Sequence, residues 1–265
     1  GWNTPWGFGR PGWHLECSAM SEKTLGLPFD IHSGGMDLTF PHHENEIAQS
    51  CTAYKKIGEP RAFAKYWVHN GFVIVDGEKM SKSIGNIRLV HELIKEYRGE
   101  VLRLALLSTH YRQPLNWTNN AIGQARKTLD RLYRSLKELE NIKTEEEQVF
   151  KPSSKILEAL CDDLNTPKVI VGLNALADQA FKADSNEKKE IKNELLATGS
   201  LLGILQKNPD VWLGYGQTQN IDSQIIEKLI NERKKARGDK DFKQADSIRV
   251  KLKNMGIEIE DKKDK

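Results

Sequence analysis

The stretch Ile31–Glu46, IHSGGMDLTFPHHENE, places two glycines, three histidines and three acids within sixteen residues. The preceding apolar PFDI reads as a short strand, PFDIHS, that ends at the glycines, and HHENEIAQSCTAYKKI reads as the helix that follows them. Pro41 suits the first turn of that helix, where its missing amide would have no partner. A strand that delivers a loop at its C-terminal end and then turns into a helix is how open parallel sheets build their ligand sites. The N-terminal part of the chain is therefore expected to be α/β.

Within the helix, His42 and Glu46 lie four residues apart and share a face, one turn from each other. Cys17, in GWHLECSAM, offers a thiolate, and a Cys/His/Glu set matches the donors that zinc accepts. The same residues also fit a capped helix with a buried cysteine and no metal, and spacing alone does not decide between the two. Gly34 and Gly35 allow a sharp turn and a close ligand approach, with Asp37 placed to accept a hydrogen bond from a ribose hydroxyl. An ordinary strand-to-helix turn has the same residues.

Outward from this stretch, HLECSAMSEKTL reads as a helix after a Gly- and Pro-rich loop at 1–12, in which Trp13 lies just ahead of Cys17. At 66–76, YWVHNGFVIVD carries the β-branched and aromatic residues of strands, and Asp76-Gly77 is a turn signal. Directly after it comes EKMSKSIGN, with Lys79 and Lys82 three apart, small hydroxyl residues beside them and a glycine on either side. Ammonium groups on a mobile loop suit a polyphosphate whose charge rises as a bond breaks.

At 265 residues the chain has room for two domains and a small third piece. Its net charge of +3 with 29% charged residues describes a mixed surface, with positive charge gathered near the C-terminal end. Three widely spaced cysteines, Cys17, Cys51 and Cys161, argue against a disulfide framework and for a reducing compartment. No apolar run approaches membrane-spanning length, and the cytoplasm is the expected location. The opening GWNTPWGFGRPGWH lacks an initiator methionine and reads like the middle of a domain.

Residues 88–117 read as largely helical, with Val101, Leu104, Ala105 and Leu107 at near-helical spacing. His110 and Arg112 fit either an RNA stem contact or a solvated surface. A long helix is expected over 119–142, where Ile122, Ala125, Leu129, Leu132, Leu136 and Leu139 form one apolar stripe. TEEEQVFKPSS, from Thr144, is a linker-like break. Helices follow at 155–162, 167–183 and 186–205, the second started by Asn165-Thr166-Pro167. After a further break at NPDVWLGYGQTQN, the C-terminal unit reads as two helices joined at Gly238-Asp239, then a short strand after Gly256. Arg233, Lys234, Lys235, Arg237, Lys240 and Lys243 cluster around that joint, as phosphate contacts that weaken with salt or as a solvated face.

KMSKS is the signature loop of class I aminoacyl-tRNA synthetases. Taken with GRPGWHLECSAM, FDIHSGGMDLTFPHHENEIAQ, LLSTHYRQPLNWT and DDLNTP in this order, the chain resembles the cysteinyl-tRNA synthetase family over essentially its whole length. The resemblance implies that Cys17, His42 and Glu46 bind zinc in the amino-acid pocket, with a fourth ligand from a second cysteine that precedes the family's HIGH motif. Neither is in this sequence, so the chain is expected to lack the first half of the nucleotide-binding fold, to be inactive alone and to hold zinc weakly. In the family the substrate thiolate binds the metal. Softness then separates cysteine from serine or alanine better than a pocket could, since one methylene is worth roughly 1–3 kcal/mol.

By the same resemblance Trp13 and His32 line the cysteine pocket, and Gly35 and Asp37 approach the adenosine. Lys79 and Lys82 stabilise the leaving pyrophosphate, with Met80, Ser81 and Ser83 completing the ATP loop. The implied architecture is a partial Rossmann-like α/β catalytic domain at 1–69 and a connecting, stem-contacting segment at 70–117. A helical anticodon-stem bundle at 118–207 and a small basic anticodon-binding unit at 221–265 follow. The implied activity is ATP-dependent cysteine activation and transfer to tRNA(Cys), with ATP carried as its Mg2+ complex and the protein a monomer. A cysteine ligase of mycothiol synthesis and a non-catalytic tRNA-binding module are the alternatives.

Overall fold

A computed structural model describes residues 1–143, 151–215 and 223–255, together with Ile257 and Ile259. The chain forms two compact units, Gly1–Leu213 and Gly214–Lys265.

The first unit begins with a hairpin of β1 (Trp2–Thr4) and β2 (Gly7–Gly9), where sequence reading expected only loop. The Thr4 hydroxyl donates to the Gly7 carbonyl at 2.6 Å and closes the turn. Helix α1 (Trp13–Leu25) packs on α2 (Glu44–Ala53), and β3 (Phe29–Gly35) pairs in parallel with β4 (Ala64–Asn70) in a register from Phe29↔Ala64 to Gly35↔Asn70. The strand–glycine–helix order expected around Ile31–Glu46 is present. The helix starts later than expected, because a tight 3-10 turn at Met36–Leu38 and a π-helical turn at Thr39–His43 come first. It also ends earlier, at Ala53. Phe29, Cys51, Phe63 and Ala64 form the small core under this site.

After β4 the chain turns at Gly71 into β5 (Val73–Val75), which pairs antiparallel with β6 (Glu78–Lys79) across Asp76-Gly77. Both turn residues have positive φ, 50° and 85°, the requirement of a two-residue hairpin turn. Helices α3 (Val90–Glu96) and α4 (Gly99–Leu107) follow, and then β7 (Leu115–Trp117) lies parallel beside β5. The expectation of a largely helical 88–117 is thus corrected: its last residues are strand, because β5 has an open edge for them.

Helix α5 (Asn119–Glu138) is capped by the Thr118 hydroxyl, which accepts from the Ala121 amide at 3.0 Å. Its stripe is buried as the spacing predicts, with Leu129, Leu132 and Leu139 fully covered. The helix stops at Glu138, short of the expected 142. Helices α6 (Ser154–Cys161), α7 (Thr166–Ala180), α8 (Ser185–Leu202) and a short α9 (Pro209–Leu213) complete the unit, the last unanticipated from sequence. Asp184 and Glu187 form a reciprocal capping box at the start of α8, and the left-handed Gly203 ends it. One continuous core runs from Val75 to Trp212, with Tyr133 stacked on Trp212 at 4.4 Å.

The second unit is the pair α10 (Ser223–Gly238) and α11 (Phe242–Asn254), packed through Leu229, Ile248 and Leu252. Lys234, Lys235, Arg237, Lys240 and Lys243 are exposed there, and Arg233 is half-buried. Of the strand expected after Gly256 only Ile257 and Ile259 are described, and both pack against the core of this pair; residues 216–220 of the expected break and Thr144–Phe150 of the expected linker lie outside the described residues.

Candidate metal and nucleotide site

Three elements converge on Glu46. The side chain sits in the first turn of α2 and is fully buried. His42, one turn earlier on the same face, brings Nε2 to 3.7 Å from Glu46 Oε1, and α1 brings Cys17 alongside. Donor atoms of Cys17, His42 and Glu46 all lie within 4.8 Å of one another. A second group, His32, His43 and Glu46, meets the same limit and shares the carboxylate.

The two carboxylate oxygens distinguish these groups. Oε2 is taken by His32 Nε2 at 2.9 Å, whereas Oε1, on the His42 side, is buried without a hydrogen-bond partner among the described residues. An orphaned buried carboxylate oxygen costs the desolvation of a charged acceptor, and a cation beside it removes that cost. His42 Nδ1 lies 2.7 Å from His14 Nδ1, so the ring is oriented by a partner on one nitrogen and presents the other toward Glu46 and Cys17. This is the outer-sphere arrangement that metal-ligating imidazoles require. The donors present therefore fit zinc at Cys17, His42 and Glu46, with His14 and His32 as orienting partners.

Burial first, and the Glu46 carboxylate second, push the Cys17 thiol above its ordinary pKa, so a metal there must displace a proton. His43 is pulled down to about 4 by burial and then by His32, His69 and His42, which keeps it neutral at ordinary pH. Its Nδ1 lies 2.8 Å from His69 Nε2, and burial lowers His69 as well. Trp13 stacks on His42 with ring centroids 4.2 Å apart and remains more than half exposed. Through His42 its ring borders the donor cluster.

The sequence-predicted His32 lies in this cluster, touching Glu46 directly. Sequence reading gave no role to His14, His43 or His69. The signal available was the adjacency of His14 to Trp13 and of His43 to His42, but only the folding of α1 onto α2 and of β4 beside β3 brings the rings together.

The glycines at the end of β3 have specific neighbours. A Cβ on Gly34 would stand 2.9 Å from Leu38 Cδ1 and 3.0 Å from His43 Cε1, and one on Gly35 would stand 2.5 Å from Asp37 Oδ1. A side chain at either position would have to displace these neighbouring side chains, and Asp37 itself is exposed. In the lysine-bearing loop, Lys79 ends β6 with Nζ 5.7 Å from the Phe72 ring centre, and Met80 packs against the larger core. Ser81 and Ser83 hydroxyls are 3.1 Å apart, and Lys82 between them is exposed.

Residues 1–127 match the family model described as the tRNA synthetases class I (C) catalytic domain, and residues 223–265 match that of the cysteinyl-tRNA ligase anticodon binding domain. With its strand–glycine–helix site and KMSKS loop, the chain belongs to the class I tRNA synthetases. The fold is also similar to a solved leucyl-tRNA synthetase (LeuRS) from Agrobacterium radiobacter K84, with a TM-score of 0.53 over 72% of this chain and 28% of that one. At 19% identity this is a likeness of fold alone.

Sequence relatives are more particular. The chain is 50% identical over 263 residues to the cysteine–tRNA ligase of Parvibaculum lavamentivorans and 51% over 262 to that of Maricaulis maris, covering 98% of this chain and 55% of each relative. That of Rhodospirillum rubrum is 49% identical over 265 residues. Within its class, the chain belongs to the cysteinyl-tRNA ligase family, and it spans about half the length of the curated relatives it matches. No helix of the described residues is long and apolar enough to cross a membrane.

Proposed function

We propose that this protein acts as a cysteine–tRNA ligase, activating L-cysteine with MgATP to cysteinyl-adenylate and transferring it to the terminal adenosine of tRNA(Cys). The observation that carries the reading is the buried Glu46 Oε1, which has no hydrogen-bond partner among the described residues and faces His42 Nε2 at 3.7 Å in a cluster with Cys17. Cys17, His42 and Glu46 would hold Zn2+, which supplies a soft Lewis acid for recognising the thiol of cysteine.

The chain's own residues do the rest. Trp13 and His32 border the cysteine pocket, His32 by fixing the Glu46 carboxylate. Gly35 and Asp37 meet the adenosine. Lys79 and Lys82, within Lys79–Ser83, hold the phosphates and stabilise the charge that develops on the leaving pyrophosphate. Arg233, Lys234, Lys235, Arg237, Lys240 and Lys243 offer phosphate contacts to tRNA(Cys), whose affinity should then fall with salt. The finer division proposed for the first unit is a catalytic part to residue 69, a connecting part to 117 and an anticodon-stem bundle to 207. The separation of the small core at Phe29–Ala64 from the larger one beginning at Val75 supports the first of these boundaries. We place the protein in the cytoplasm as a monomer.

The match of 223–265 to an anticodon-binding model favours tRNA over a small sugar acceptor, as in mycothiol synthesis. Cysteine-dependent pyrophosphate exchange by a full-length protein containing this chain, with serine as control, is the test. No exchange would refute the ligase reading and leave an RNA-binding module, whereas exchange without tRNA(Cys) charging would favour the small-acceptor enzyme.

A further inference from the structure

The lysine loop is held by a residue outside its five-residue signature. Asn86 Oδ1 accepts from the Ser81 amide at 2.9 Å, and Asn86 Nδ2 donates to the Lys79 carbonyl at 3.2 Å. One carboxamide therefore binds the backbone on both sides of Met80, whose side chain packs against the larger core. Beyond this clamp the loop closes on itself, with the Gly85 amide donating to the Ser81 and Lys82 carbonyls at 3.2 Å each and Gly85 at a φ of 74°. The base, Lys79–Ser81, is thus tied to the strand and the core. Among the described residues, the tip bearing Lys82 is tied only within the loop.

We propose that Asn86 is a positioning residue that fixes Lys79 on β6 and makes Ser81 the pivot about which Lys82 closes on the phosphates. A carboxamide carries, on two separate atoms of one planar group, the acceptor and the donor that two backbone groups of opposite polarity need. Glutamine's extra methylene would push its amide off these two partners. The two lysines then have different tasks: Lys79 is in place before ATP arrives, and Lys82 moves. This division rests on the ligase reading only for the identity of the anion.

Two measurements on the full-length protein test it. Asn86→Ala should lower kcat for pyrophosphate exchange by about tenfold to a hundredfold, the penalty for misplacing a reacting group by around an ångström. The KM for cysteine should stay the same. Asn86→Asp keeps the acceptor but sets an oxygen against the Lys79 carbonyl, and should fall equally. Independently of activity, trypsin should cut after Lys79 and Lys82 several-fold faster in Asn86→Ala, with other sites unchanged. Wild-type kcat in the variants, or unchanged cleavage at these two lysines, would overturn the proposal. Absence of exchange in the wild-type protein would instead overturn the ligase reading, with the cleavage comparison still deciding the role of Asn86.

Discussion

Glu46 is in a position that a glutamate occupies only at a cost. It is fully buried, His32 satisfies one oxygen, and the other has no hydrogen-bond partner among the described residues. An ionised carboxylate in such a place is costly without a cation, whereas a neutral amide of the same shape is less so. Glu46→Gln should therefore weaken zinc binding at least tenfold, a loss that even outer partners of a metal can produce. It should leave the metal-free fold as stable as before or more so. Chelator competition and thermal melts with and without zinc measure both, and undiminished zinc affinity would exclude Glu46 as a ligand. With three donors, zinc in this chain alone should be weak, since a closed tetrahedral site needs four. The pairing of His42 with Glu46 was legible because four residues is one helical turn. The choice between its two oxygens was not, because it depends on a histidine from a strand.

Between β4 and β5 the structure leaves no room for a side chain. A Cβ on Gly71 would stand 2.4 Å from the Gln113 carbonyl oxygen and 2.5 Å from its carbon, and backbone cannot swing aside as a side-chain tip can. The same joint is tied by the Gly71 amide to the Tyr111 carbonyl at 2.7 Å and the Leu115 amide to the Phe72 carbonyl at 2.8 Å. Gly71→Ala should destabilise the first unit by about 1–3 kcal/mol, as overpacking does. A lower urea midpoint with unchanged slope would show it. An unchanged midpoint would mean that 111–115 moves freely away. Sequence reading found β5 from its apolar run and the α5 stripe from its period, since both patterns are local. It missed β7, because three residues such as Leu115-Asn116-Trp117 become a strand only when a distant partner supplies the ladder.

The segment that packs on Gly71 also joins the helical bundle. Asp163, in the turn between α6 and α7, accepts from the Tyr111 hydroxyl at 2.6 Å and from Arg112 Nε at 2.5 Å, while the Thr166 hydroxyl donates to the Leu107 carbonyl at 2.7 Å. Asp163 and Leu164 both sit at a φ of 55°, a conformation that side chains disfavour and that these contacts hold. The Arg112 guanidinium first, and the Tyr111 hydroxyl next, lower the Asp163 carboxyl from 3.8 to about 2. Because its folded pKa lies below its unfolded one, the carboxylate contributes stability that is fully present above pH ~4 and lost as pH falls toward ~2. Asp163→Asn should remove that share, so the melting difference between wild type and variant should shrink on acidification from about pH 5 to pH 2. Asp163 is exposed, so the difference is small and best read at low salt. A gap that is constant with pH would mean the ion pair is idle.

From the sequence alone came the α/β start, the helical remainder, the donor pair on α2, the lysine loop and the family, because each is written in short-range periodicity or contiguous residues. Tertiary structure alone decided which oxygen of Glu46 is left without a partner, which histidines surround it, that 115–117 is a strand, and that Asn86 grips the lysine loop. The first three depend on groups far apart in the chain arriving at one place, where a buried polar atom must find a partner or go without, and the Asn86 clamp, though short in sequence, depends on how its loop closes. A linear pattern holds the candidates for such a meeting, and only packing selects among them.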